Sequence, residues 1–177
     1  MVAIGKKDMP TNTETRPTLI GAILLELRKV SAFSVLFSQT VAARIGVNST
    51  DQECGDLLNI FGPMTAGRLA EISGLTTGAI TGVINRLERA GFVRRVQDPM
   101  DRRRVIVHAV PDSDAARKAA KFFEGMANAS IALCDRYSDE ELAVIFDFIS
   151  NALTITTEEI NRLRGDMTQP EALQDKG

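Results

Sequence analysis

The chain has 177 residues, 44% of them hydrophobic and 25% charged, with no Trp and a single Tyr. That suffices for one domain or two small lobes sharing a core, and it excludes collagen, low-complexity sequence and wholesale disorder. Net charge is −2, which alone argues against a nucleic-acid binder, yet residues 65–108 carry eight arginines against four carboxylates, a local net of +4 that leaves −6 for the rest.

Residues 1–17 mix Gly, Pro, Thr, Asn and charges without a period, and are expected to form a flexible leader. They contain no apolar stretch followed by a small-residue cleavage site, and the longest nearly uncharged run, residues 30–43, is too short to span a bilayer. The expected location is therefore cytoplasmic, with no membrane contact. From Thr18, the residues Ile20, Ile23, Leu24, Leu27, Val30 and Val35 recur mostly at helical spacing, which predicts an amphipathic helix to about Ile45 that Gly46 ends. Thr50-Asp51-Gln52-Glu53 reads as a capping box, opening a short helix with Cys54, Leu57, Leu58 and Phe61 on its buried side and a stop at Gly62-Pro63.

The segment 64–93 is the most informative. Thr65 can cap a helix bearing Leu69, Ala70 and Ile72, Gly74 breaks it, and Thr76 caps a second helix with Ile80, Val83, Ile84 and Leu87 on one side. A small residue at 70, a turn glycine at 74 and branched plugs at 80 and 83 fit a helix-turn-helix, and Gly91 stands where a left-handed cap belongs. The runs 92–96 and 104–107 then predict a β-hairpin with the charged tip 97–103. Beyond Pro111, a helix is expected from Asp112 to about Cys134. A capping box at Ser138-Asp139-Glu140-Glu141 opens another with Leu142, Ile145, Phe146, Ile149 and Leu153 in a stripe, and the tail from Arg164 is polar.

On a helical wheel of residues 76–90 the side opposite Ile80 and Leu87 holds Gly78, Gly82, Asn85 and Arg89, flanked by Thr81 and Arg86, with Glu88 only at its edge. Thr, Asn and Arg without outward bulk suit close approach to a DNA major groove, and arginines at a narrow hairpin tip suit the minor groove. Asp98 or Asp101 can orient a neighbouring guanidinium there. Cys54 lies in an apolar stripe and reads as core. With one histidine, His108, and two cysteines 80 positions apart, the chain has no zinc-site spacing and no Ser-His-Asp unit away from His108. Neither a metal, a cofactor nor catalysis is expected.

The stretch Leu75 to Val93, with "RLERAGFV" at 86–93, followed by "DPMDRRR" at 98–104, closely resembles the winged helix-turn-helix of the MarR (multiple antibiotic resistance regulator) family, and the order of elements extends the likeness over about residues 18–163. The resemblance implies a mainly α fold with a small β-hairpin wing: a DNA-binding lobe at 47–110, a helical dimerisation region at 18–46 and 111–163, and a polar tail at 164–177. It implies a homodimer, a pseudo-palindromic double-stranded DNA operator and repression relieved by a small aromatic or amphipathic effector. Carried over, Thr76, Thr77, Gly78 and Thr81 begin the recognition helix and Arg102, with Arg103 and Arg104, forms the wing contact. Gly82 and Asn85 stand where many members carry a basic and an acidic residue. Ile23, Leu27, Leu142, Phe146, Ile149 and Leu153 are the expected dimer interface, and Phe33, Phe37, Phe61 and Met64 the expected ligand site. The alternative is a winged-helix protein–protein interaction module without DNA binding, for which a neutral or apolar recognition face is expected.

Overall fold

Four glycines with positive φ, at 46, 62, 74 and 91, punctuate the first 123 residues and set where helices stop. The computed structural model describes residues 15–168, in two compact units that divide at 123/124. In the first unit, α1 (Arg16–Ile45), α2 (Ser49–Phe61), β1 (Met64–Thr65), α3 (Ala66–Ser73), α4 (Thr77–Arg89), β2 (Val93–Gln97) and β3 (Val105–Ala109) precede the start of α5 (Asp114–Cys134). The second unit holds the rest of α5 and α6 (Asp139–Thr168). Among the described residues no helix is long and apolar enough to cross a membrane.

The first helix starts at Arg16, so residues 16 and 17 belong to it and not to the expected leader; Pro17 fits in its first turn because no intrahelical donor is needed there. The remainder of the leader, residues 1–14, lies outside the described residues, as do residues 169–177 of the expected tail. The other tail residues, 164–168, continue α6. Gly46, at φ 76°, ends α1 with its N–H on the Ala42 carbonyl. The last turns of α1 bury Val41 and Ala42 and pack with α2, so the packing of the lobe begins before the expected boundary at 46/47.

The second helix begins differently from expectation. Asn48, not Thr50, is its cap: Asn48 has an extended backbone and its side-chain oxygen accepts from the Asp51 N–H at 2.8 Å. Thr50 already lies in the first turn, and Asp51, read as part of a surface box, is turned inward. Thr65 and Thr76 do cap α3 and α4, accepting from the N–H groups of Arg68 (3.2 Å) and Ala79 (3.3 Å). At the end of α4, the Gly91 N–H reaches the Glu88 carbonyl and the Phe92 N–H reaches that of Leu87, a Schellman closure that requires the left-handed Gly91.

Both strands of the hairpin start one residue later than predicted, β2 because Phe92 is occupied in that closure, and β3 runs on to Ala109, two residues beyond the predicted end. A third strand was not visible in the sequence: two residues, Met64 and Thr65, pair with Val107 and Ile106, giving the antiparallel order β1-β3-β2. Two residues are too few to show an alternating pattern. Ser113, accepting from the Ala116 N–H, caps α5, which starts at Asp114, two positions beyond the expected Asp112. The box at Ser138 forms both ways, with the Ser138 N–H on the Glu141 carboxylate and the Glu141 N–H on the Ser138 hydroxyl.

One cluster forms the core of the first unit: Cys54 and Leu58 of α2, Met64, Leu69 of α3, Ile80, Val83, Ile84 and Leu87 of α4, and Val93 and Val107 of the sheet. Phe61, expected on the buried side of α2, is instead 62% exposed. Asn48→Ala should therefore lower the urea-unfolding free energy by about 1 kcal/mol, whereas Thr50→Ala should change it by less than about 0.5 kcal/mol.

Candidate nucleic-acid interface

The tight turn between α3 and α4 is closed by Gly74, at φ 75°, whose N–H returns to the Ala70 carbonyl at 2.9 Å. From there the four apolar residues of α4 are all buried, which forces the opposite side of the helix outward. Thr76, Thr77, Gly78 and Thr81 are exposed at its start, Gly82 and Asn85 are half-buried, and Arg86 and Arg89 are exposed. The Thr76 hydroxyl oxygen is used by the cap, and the Thr81 hydroxyl donates to the Thr77 carbonyl at 2.9 Å. Thr81 therefore offers its methyl and its oxygen lone pairs to a partner, not its proton.

Two carboxylates grip arginines on the flanks of this face. On one flank, both oxygens of Asp51 accept from Arg86, from Nε at 2.8 Å and from Nη2 at 2.7 Å. Asp51 is 1% exposed, so α2 supplies a buried anion to a half-exposed arginine of α4. Hydrogen bonding to Asp51 raises the Arg86 pKa further above its ordinary value. Nε and Nη2 are engaged by this carboxylate, and Nη1 is the guanidinium nitrogen that Asp51 leaves unused. On the other flank, the Arg95 guanidinium pairs with Glu88 and donates to the Asn85 side-chain oxygen at 2.6 Å, while its N–H reaches Glu88 at 3.1 Å. Asn85 thus keeps its NH₂ donors and one lone pair of its side-chain oxygen, and Arg95 holds the amide in place.

The wing tip is built by its aspartates in a way the sequence did not indicate. Asp98 accepts from the Met100 N–H at 2.9 Å and Asp101 from the Arg103 N–H at 3.0 Å, while Arg104 N–H to Asp101 carbonyl and Asp98 N–H to Arg104 carbonyl close the loop. Their carboxylates hold backbone and not guanidinium groups. Among the described residues, Arg89, Arg94, Arg102, Arg103 and Arg104 enter no ion pair, and all five are exposed. His108 is half-buried on β3 opposite Arg94.

The four side chains expected to form a ligand site do not converge. Met64 is in the core, Phe61 and Phe33 are exposed, and Phe37 sets its ring edge-on against Phe123, with centroids 5.6 Å apart. A cavity of about 280 Å³ lies elsewhere in the first unit, lined mainly by apolar residues that include Ile45, Val47, Leu87, Phe92, Val110 and Phe123. Gln52 and Asp56, one turn apart on α2, are polar residues in its wall. Both polar atoms of the Gln52 side chain are buried without a partner. Burial pushes the Asp56 carboxyl above the usual carboxylate range, an effect that the nearby Gln52 amide offsets in part without reaching hydrogen-bond geometry. The sequence marked neither residue, since both resemble solvated positions of a helix.

The Cys54 thiol sits fully buried in the core and burial pushes its pKa up to about 11, whereas Cys134 is exposed at the end of α5. Of the residues expected at a dimer interface, Ile23, Leu27, Phe146, Ile149 and Leu153 are exposed in the single chain and Leu142 is half-buried.

The sequence pattern of the MarR family matches residues 56–105. The chain is 42% identical over 137 residues to the uncharacterized HTH-type transcriptional regulator YcgE of Bacillus subtilis, covering 77% of this chain and 88% of that protein. Its fold is similar to that of a MarR family protein from Bacillus stearothermophilus (TM-score 0.56, 19% identity, 84% of this chain and 99% of that one). It is similar also to that of the transcriptional regulator Tm0710 from Thermotoga maritima (TM-score 0.55, 18% identity, 80% and 98%).

The two arginines at the end of α4 differ in one testable respect. Arg86→Ala leaves the buried Asp51 carboxylate without its partner and should lower the midpoint of urea unfolding clearly, while Arg89→Ala, which removes the same charge from an unpaired position, should leave it nearly unchanged.

Proposed function

The chain belongs to the MarR family, and on that premise we propose that it is a sequence-specific, double-stranded DNA-binding transcriptional regulator acting as a homodimer on a pseudo-palindromic operator. The observation that carries this reading is the outward face of α4 together with the wing. It presents threonines, two glycines and arginines, its flanking carboxylates are neutralised by Arg86 and Arg95, and Arg102, Arg103 and Arg104 at the wing tip have no ion-pair partner among the described residues. Thr77, Gly78, Thr81, Gly82 and Asn85 face the groove, Arg89 holds a phosphate, and Arg102, Arg103 and Arg104 approach the minor groove. A protein–protein module would present a neutral or apolar face there, and this one is polar and cationic.

Dimerisation is supported by apolar surface within each unit. Leu24 and Val30 on α1 and Phe146 and Leu153 on α6 are all at least 60% exposed, more than single scattered side chains explain. A two-fold dimer sets two reading helices about one DNA turn apart, ~34 Å. Selection of bound fragments from random duplex DNA should enrich an inverted repeat, and altering its half-site spacing by about five base pairs should abolish tight binding. Failure to enrich any sequence would overturn the reading. Arg102→Ala should reduce the salt dependence of log K by ~0.9, whereas Arg117→Ala, on α5 and paired with Asp114, should not.

The regulator is a repressor relieved by a small ligand, and the cavity beside α2 suits a small aromatic or amphipathic molecule that supplies both a donor and an acceptor to Gln52. An unpartnered buried amide costs stability until something binds it. Gln52→Leu should therefore raise the ligand-free unfolding free energy by about 1–2 kcal/mol and abolish any thermal stabilisation of the wild-type protein by benzamide, a probe of matching shape and polarity.

A further inference from the structure

The grip of Asp51 on Arg86 uses only one edge of the guanidinium, Nε and Nη2. The remaining nitrogen, Nη1, lies 3.3 Å from the point where a Cβ at position 82 would stand. Gly82 is on the outward line of α4 between Gly78 and Arg89, so the guanidinium occupies surface that a side chain at 82 would otherwise claim. Arg86 is nearly half-exposed although its anchor is buried. A free arginine on a helix loses rotamer freedom when it binds; one held by both oxygens of a buried carboxylate has lost it already, and its plane is fixed.

We propose that Asp51 is a positioning residue for base reading: from the neighbouring helix it fixes Arg86 so that Nη1 stands over Gly82 as an oriented pair of N–H donors for an acceptor edge in the major groove. Nη1 only donates, and the base edge with two adjacent acceptors and no donor is that of guanine, O6 and N7. The occupant of this position is therefore a guanine in each half-site. The absent side chain at 82 is what admits the guanidinium to that line, and Asp51, which cannot itself touch DNA, decides where the donors stand. This inference rests on the DNA-reading function proposed above.

The test uses the full chain, the duplex selected by the wild-type protein and a competition panel of every single-base variant of one half-site. Gly82→Ala keeps all charges and favours the helix, but its Cβ would stand 3.3 Å from Nη1, tight enough that the guanidinium must shift off its setting. Asp51→Asn weakens the grip with little change in shape, and Arg86→Lys keeps the charge and loses the fork. All three should relax discrimination at the same guanine by about tenfold or more while preferences at other positions hold. Urea unfolding of Gly82→Ala should give a midpoint no lower than that of the wild type, so this variant carries the test even if Asp51→Asn fails to fold. A uniform fall in affinity with an unchanged preference profile would mean that Arg86 touches phosphate, and it would overturn the proposal. An unchanged affinity and profile for Gly82→Ala would reduce the Asp51–Arg86 pair to a brace within the lobe, and would overturn it equally. If the wild-type chain selects no sequence at all, it is the DNA-binding reading that fails, and this inference with it.

Discussion

The orientation of α4 follows from four side chains. Ile80, Val83, Ile84 and Leu87 occupy one side of a 13-residue helix, all of them buried, and returning any one to water costs about 1.5–3 kcal/mol. A small rotation of α4 about its axis would expose two of the four, so the helix has one angular setting. The direction of the exposed side is then set by the buried one, before any polar contact on it is made. Glycine at 78 and 82, poor helix formers, is tolerated in α4 because the core fixes the helix and intrinsic propensity does not.

What the core cannot fix is the disposition of long polar side chains, and here α2 and β2 take over. Asp51 reaches across from α2 and Arg95 from β2, each bonding to α4 from a different side. Both are charge-assisted contacts, and each cancels a charge next to the outward face. The field around α4 is consequently shaped by residues that lie outside it, and the unpaired arginines of the wing stand out against a neutralised background.

Elements carried by periodicity and by glycine were legible in the sequence. The stripes of α1, α4 and α6, the stops at Gly46 and Gly74, the caps at Thr65 and Thr76 and the box at Ser138 follow from local chemistry that a linear reading contains. The failures share a cause. Asp51 looked like part of a cap because its real partner is 35 positions away, and nothing local distinguishes a carboxylate turned inward from one turned to water. The strand at 64–65 exists only because β3 lies beside it. Gln52 and Asp56 became cavity residues through the approach of Val110 and Phe123, again a long-range event. At the wing the arginines stand on an exposed hairpin tip, while the aspartates went to the backbone because an Asx turn is nearer at hand than a guanidinium.

The placement of β3 in the middle of its sheet bears on how the lobe meets a duplex. Through Ile106 and Val107 it is bonded to the two residues that lead directly into α3, and through its other edge to β2, which Arg95 ties to α4. Wing and helix-turn-helix are thereby stitched into a single rigid body, and the wing cannot swing without pulling on the start of α3. Docking then forfeits little internal motion, since two contact surfaces arrive with their separation already set, and a duplex whose groove widths do not match that separation must itself deform.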